Sequence, residues 1–133
     1  MILDQFAKYQ NVVHGLTRIV IGFLFFTHGG QKLFGWFGAE GTVEILSRFG
    51  VAGVLEVVGG LMLLAGLFTR PVAFILSGQM AVAYFWIHVP NGIWPWANGG
   101  ELAAIYCWVF LWFATAGSGC FAVDSLLANK EQA

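Results

Sequence analysis

Four apolar runs of roughly twenty residues each divide this chain, about the length a helix needs to cross a hydrocarbon core. They are placed at about 12–32, 51–68, 71–88 and 101–116. The expected fold class is therefore all-α: a polytopic membrane protein, a four-transmembrane-helix bundle within a single domain over residues 1–133. Composition agrees, since 59% of residues are hydrophobic and only 10% are charged. An average soluble domain carries about 25% charged residues. The formal net charge of -1 and the lack of a basic patch leave no electrostatic footprint for nucleic acid. The partner that composition does imply is the lipid bilayer.

The connections are short. Residues 1–11 form a polar, amphipathic lead-in. Arg18 stands within two turns of the first span's start and is expected to snorkel to the interface. Residues 33–38 are aromatic and glycine-rich. Residues 40–49 place Glu40, Glu44 and Arg48 at i, i+4 spacing, with Val43, Leu46 and Phe49 on the other side. That pattern predicts a short interfacial helix between helices 1 and 2. Pro71 suits the first turn of the third span. Ala73, Ser77 and Ala81 make a ridge of small side chains for close helix packing. Asn98 and Glu101 have the spacing of a helix cap and its reciprocal partner.

Basic residues orient the bundle. Lys8, Arg18, Arg70 and Lys130 share one side, and Lys32 and Arg48 share the other. The basic-rich side is expected to be cytoplasmic, with both termini inside. No cleavable leader is evident, because the first apolar run lacks a small-x-small site.

Under this topology one titratable residue from each span arrives at the same end. His28 ends the first, Glu56 lies near the start of the second, His88 ends the third and Glu101 begins the fourth. Lys32, Gln31 and Asn98 are at the same level, and His28, Gln31 and Lys32 share a helix side. A charge inside a bilayer costs about 2.5–3.5 kcal/mol on insertion scales, so such groups turn inward and pair. His28, Lys32, Glu56, His88 and Glu101 are the candidate catalytic residues, with Gln31, Asn98 and Trp108 as candidate ligand contacts. Trp108 and Trp112 share a face with Ile105 and Glu101, where they could flank a flat ring or simply face lipid. Blander readings stand beside these: Glu101 completing a cap, Glu56 bridging Lys32, and the histidines bonding loop carbonyls.

Other chemistries lack their signatures. The Glu-x-x-His repeats of di-iron bundles are absent, and Lys32 would repel a cation, so no metal is expected. Both histidines at one level leave a trans-membrane bis-His haem without support. Cys107 and Cys120 form no Cys-x-x-Cys pair and are read as free thiols.

Taken together, Arg18, His28-Gly-Gly-Gln-Lys32-Leu-Phe-Gly35, Glu56-Val-Val-Gly-Gly60, Gly66-Leu-Phe-Thr-Arg-Pro71, Met80-Ala-Val-Ala-Tyr-Phe85, His88-Val-Pro90, Trp94-Pro95, Asn98-Gly-Gly-Glu101 and Tyr106-Cys107 resemble the DoxX family over about residues 16–124. The resemblance implies a four-helix protein of the bacterial plasma (inner) membrane with both ends in the cytoplasm. Members are commonly labelled oxidoreductases, and the family name comes from a subunit linked to quinol oxidase and thiosulfate:quinone chemistry. The leading expectation is a quinone-linked oxidoreductase, or a subunit of a membrane redox complex with a membrane or soluble redox partner protein. The rival is a non-enzymatic membrane scaffold or assembly partner, or a small-solute carrier. Either is compatible with a homo-oligomer.

Overall fold

The computed structural model describes residues 1–132, and no strand occurs among them. A 3-10 lead-in over Ile2–Tyr9 runs into α1, Gln10–Phe34. Then come α2, Arg48–Ala65, and α3, Thr69–Ala83. A π-helical turn, Tyr84–His88, and a 3-10 turn, Val89–Asn91, extend α3. The short α4, Pro95–Asn98, precedes α5, Glu101–Ala116, and α6, Val123–Glu131, ends the described chain.

α1, α2 and the extended α3 are long and apolar enough to cross a membrane. α5 is apolar but shorter, at 16 residues. Each helix buries a stripe at helical spacing. On α1 it runs through His14, Arg18, Gly22, Phe25 and Gly29. On α2 it runs through Gly53, Glu56, Gly60 and Leu63, and on α5 through Ala103, Tyr106, Phe110 and Phe113. Between the stripes Phe25, Leu63, Leu76, Phe110 and Phe113 are at most 1% exposed and form the centre of the core.

Two antiparallel pairs make the bundle. α1 and α2 meet along glycine. A Cβ on Gly22 would lie 2.6 Å from the Leu64 nitrogen, and one on Gly29 would lie 2.6 Å from the Val57 nitrogen. Only hydrogen fits, so the two backbones touch, as small residues allow within membranes. α3 and α5 meet along the small residues Ala73 and Ser77, both buried, and the Ser77 hydroxyl donates to the Cys107 carbonyl at 2.7 Å.

The ends of the helices are closed by specific groups. Gly66 ends α2 in the left-handed region at φ 69°, and Leu67 N–H returns to the Met62 carbonyl at 2.8 Å. Asp124 of α6 accepts from the Phe68 and Thr69 N–H groups at 2.7 and 2.9 Å, capping α3 from a distant part of the chain. Arg70 donates to the Ala114 and Thr115 carbonyls that end α5. Pro71 sits in the first turn of α3.

Three local expectations are corrected. Residues 40–47 form loop and turns, and helix begins only at Arg48. Ser47 decides this: its hydroxyl accepts from Gly50 N–H at 3.0 Å and makes it the cap of α2, while Val43 N–H is drawn to the Lys32 carbonyl at 2.8 Å. Asn98 does not cap α5. It ends α4, and its side-chain oxygen accepts from Gly100 N–H at 2.8 Å, so Gly100 becomes the cap of α5.

The third correction concerns Arg18, which does not snorkel but is 0% exposed. Its guanidinium donates to the carbonyls of Leu63, Leu64, Ser118, Cys120 and Phe121 at 2.5–3.0 Å. The planar fork of donors matches the spread of carbonyls at the end of α2 and on the strap after α5.

Candidate functional site

At the opposite end of the bundle from Arg18, α1, α2, α3 and α5 do not close against one another. A cavity of about 740 Å³ remains between them. Its polar lining is His28 and Lys32 of α1, Arg48 and Glu56 of α2, Gln79 of α3, His88 of the π-helical turn and Tyr106 of α5, with Arg48 exposed at the start of α2. The rest of the wall is largely apolar, including Leu55, Met80 and Ala103. Val51, Ile75, Val82 and Trp86 also line it, yet each is 49–67% exposed on the flank between α2 and α3. These residues mark a lateral mouth on an apolar flank of the bundle.

The polar groups are arranged around one ion pair. Lys32 Nζ donates to Glu56 Oε1 at 2.5 Å, and the lysine side chain is 32% exposed against 2% for the glutamate. Gln79 Nε2 lies 3.3 Å from the same oxygen and 3.3 Å from the Ala52 carbonyl. The other carboxylate oxygen, Oε2, is buried without a hydrogen-bond partner, and so is Gln79 Oε1. His28 and His88 are half-buried, and neither ring hydrogen-bonds to another described residue. The His28 ring meets Tyr106 edge-on at 6.1 Å. Gly100 leaves room for His88, since a Cβ there would stand 2.8 Å from the histidine Cβ. π-helical turns within α-helices recur at functional sites because they re-aim side chains, and here one carries His88.

The sequence-derived candidates divide clearly. His28, Lys32, Glu56 and His88 come together on the cavity. Glu101 does not; it is exposed at the start of α5 and outside the lining. It stands two positions before Ala103 of the buried stripe, about 200° around a helix from it. Trp108 is two positions past Tyr106 and is likewise turned outward, at 71% exposed. Gln31 bonds the Phe37 carbonyl at 3.3 Å and does not line the cavity. Asn98 is buried and serves the loop, donating to the Gly92 carbonyl at 2.7 Å and the Tyr84 hydroxyl at 3.3 Å.

Three polar lining residues were missed from sequence, Gln79, Tyr106 and Arg48, the last read only for its charge and its i, i+4 spacing from Glu44. Gln79 carried a signal, since an uncharged amide deep within an apolar span needs a partner. Tyr106, amid apolar and aromatic neighbours, carried no signal beyond its part in the DoxX resemblance. No group of three or more His, Cys, Asp or Glu side chains is arranged to hold a metal ion among the described residues.

Comparison with known proteins places this architecture. A Haemophilus influenzae protein named "Uncharacterized protein" is 41% identical over 96% of this chain and all of its own length. The Escherichia coli inner membrane protein YqjF is 30% identical over 92% of this chain and 98% of its own. A Bacillus subtilis protein named "Putative oxidoreductase CatD" is 26% identical over 82% of each. No solved structure is a significant match. The family model described as DoxX matches residues 15–89, more than half of the chain and the whole of α2 and α3, and the chain is therefore a multi-pass helical membrane protein of the DoxX family.

Proposed function

We propose that this protein binds an isoprenoid quinone between its helices and serves a membrane redox system as a quinone-linked oxidoreductase component. The carrying observation is the polarity of the cavity. His28, Gln79, His88 and Tyr106 gather around the Lys32–Glu56 pair, the exposed Arg48 completes the polar lining, and the remaining wall is apolar and open toward lipid between α2 and α3. An amphiphile with a small polar head and an apolar tail fits that division. The volume of about 740 Å³ is within the usual range for a small-molecule site.

The residues present fit a quinone head. His28 and His88 have ring nitrogens without partners, and a ring N–H can donate to a head-group oxygen. The ammonium of Lys32 would stabilise negative charge developing on such an oxygen. Glu56, with one oxygen unpartnered, is placed to take or give a proton near the head group. A quinone, when bound, supplies the capacity to carry two electrons and two protons. A partner protein or a soluble reductant would exchange the electrons.

The inner membrane is the proposed location, after relatives named for it, with both termini cytoplasmic by the basic-residue asymmetry. CatD's description as an oxidoreductase points the same way. A solute carrier is disfavoured because the core layer of Phe25, Leu63, Phe110 and Phe113, with Arg18 beyond it, separates the cavity from the other end.

The test is a set of melting curves in detergent with and without a short-chain quinone analogue, joined to mass spectrometry of lipids retained after gentle extraction. Expected results are co-purified quinone and a ligand-dependent rise in melting temperature that His28→Ala and His88→Ala abolish. Without ligand, each substitution should cost under about 1.5 kcal/mol, the usual net value of one hydrogen bond. No retained quinone and no ligand-dependent shift in the unmutated protein, with large losses in both variants, would leave the scaffold reading in its place.

A further inference from the structure

We infer that the cavity discriminates between the two redox forms of its quinone and holds the reduced, hydroxyl-bearing form more tightly. This rests on the quinone reading above and extends it to the oxidation state of the ligand.

Two acceptors on the cavity-lining side chains lack donors, Glu56 Oε2 and Gln79 Oε1, and both are buried. Leaving a buried acceptor unmade costs more than a typical hydrogen bond contributes. The amide orientation of Gln79 is set by its neighbours. Its Nε2 lies between two acceptors, the Ala52 carbonyl and Glu56 Oε1, each at 3.3 Å. Turning the amide over would set oxygen against oxygen at both, so Oε1 remains an acceptor. Lys32 does not satisfy the second carboxylate oxygen: its ammonium donates to Oε1 at 2.5 Å and makes no bond to Oε2. The terminal torsions of Glu and Gln are broad, so a modest rotation presents these oxygens to a ligand.

The two forms of a quinone head differ in what they bring. The oxidised head has two carbonyl oxygens and no donor. The reduced head has two hydroxyl groups, each a donor that also accepts. Against Glu56 Oε2 and Gln79 Oε1 the oxidised head sets lone pair against lone pair, whereas the reduced head supplies the missing hydrogens. The histidines do not discriminate, because each neutral ring offers one donor and one acceptor. Tyr106 is similarly neutral, since its hydroxyl donates and accepts. Lys32 and Arg48, pure donors, favour the oxidised head, but Lys32 is bonded to Glu56 and Arg48 is exposed at the start of α2, whereas the two unpartnered acceptors are buried. The acceptor-only atoms therefore decide the preference. One hydrogen bond made rather than lost is worth about tenfold in affinity. Tenfold tighter binding of the reduced form raises the potential of a bound two-electron couple by about 30 mV.

The experiment measures dissociation constants of a decyl-tailed benzoquinone and of its hydroquinone for the purified protein, in detergent and without oxygen. The unmutated protein should bind the hydroquinone about tenfold more tightly, as one acceptor satisfied implies. Gln79→Leu and Glu56→Gln should each bring the ratio down by about threefold or more, mainly by weakening the reduced form. A merely structural role for either residue would weaken both forms alike and leave the ratio unchanged. Should Glu56→Gln fail to fold, Gln79→Leu carries the comparison, because Gln79 is only half-buried. Equal affinities, or tighter binding of the oxidised form, overturn the preference and leave the proposed function standing. Failure of both forms to bind overturns the two together.

Discussion

Lys32 on α1 and Glu56 on α2 meet at 2.5 Å, with the lysine 32% exposed and the glutamate 2%. The asymmetry matters for what each substitution leaves behind. Lys32→Met strands a buried carboxylate and should destabilise by about 3 kcal/mol, the lower end for breaking a buried pair. Glu56→Gln leaves an ammonium that can reach water, and should cost nearer 1 kcal/mol after allowance for screening. The double variant should lose less than the sum. Thermal unfolding in detergent measures all three, and strictly additive losses would show that the pair is not coupled.

Arg18 offers a harsher test at the other end. Arg18→Ala removes the guanidinium that donates to the carbonyls of Leu63, Leu64, Ser118, Cys120 and Phe121. Losing several charge-assisted bonds at buried acceptors should cost about 4 kcal/mol or more. Arg18→Lys should recover little of it, because an ammonium cannot reach the same spread of oxygens. Size-exclusion profiles of the extracted protein are the readout. A monodisperse Arg18→Ala protein melting like the parent would refute the structural role assigned to this side chain.

The α1–α2 seam predicts a contrast between glycines. Gly22→Ala and Gly60→Ala would press a methyl to within 2.6–2.7 Å of the facing backbone, which cannot yield as a flexible side chain would. Overpacking of this kind costs about 1–3 kcal/mol or more. Gly78 on α3 has nothing within 4 Å, so Gly78→Ala should be neutral or stabilise by up to about 1 kcal/mol through helix propensity. Parallel melting curves decide it; a destabilised Gly78→Ala or a tolerant Gly22→Ala would contradict the packing described.

Topology is tested by cysteine labelling after Cys107 and Cys120 are replaced by serine. Asn91 and Ser125 are both exposed and lie at opposite ends of the bundle. In intact cells Asn91→Cys should react with membrane-impermeant thiol reagents, whereas Ser125→Cys should need permeant ones. The reverse pattern would invert the proposed orientation and place the cavity end toward the cytoplasm.

The sequence alone determined that this chain lives in a membrane, that its long elements are helices, and that His28, Glu56, His88 and Lys32 are delivered to one end. Hydropathy and span length suffice for this, because lipid demands long helical segments with internally satisfied backbones. Tertiary structure decided what each helix shows to its neighbours. α5 is apolar around its circumference, so nothing in its pattern said that Ala103, Tyr106 and Phe110 face inward or that Glu101 and Trp108 face out. In an amphipathic soluble helix the polar face reports that rotation; in lipid the outward face is apolar too, and the report is lost. Gln79 stood out as a polar residue in an apolar span, but its partner did not: its value depends on standing 3.3 Å from Glu56 across the α2–α3 gap. The reading of Arg18 was misled as well: a cation near a span's end has a path to water by sequence position alone. Here the folded chain brings five backbone carbonyls to it first.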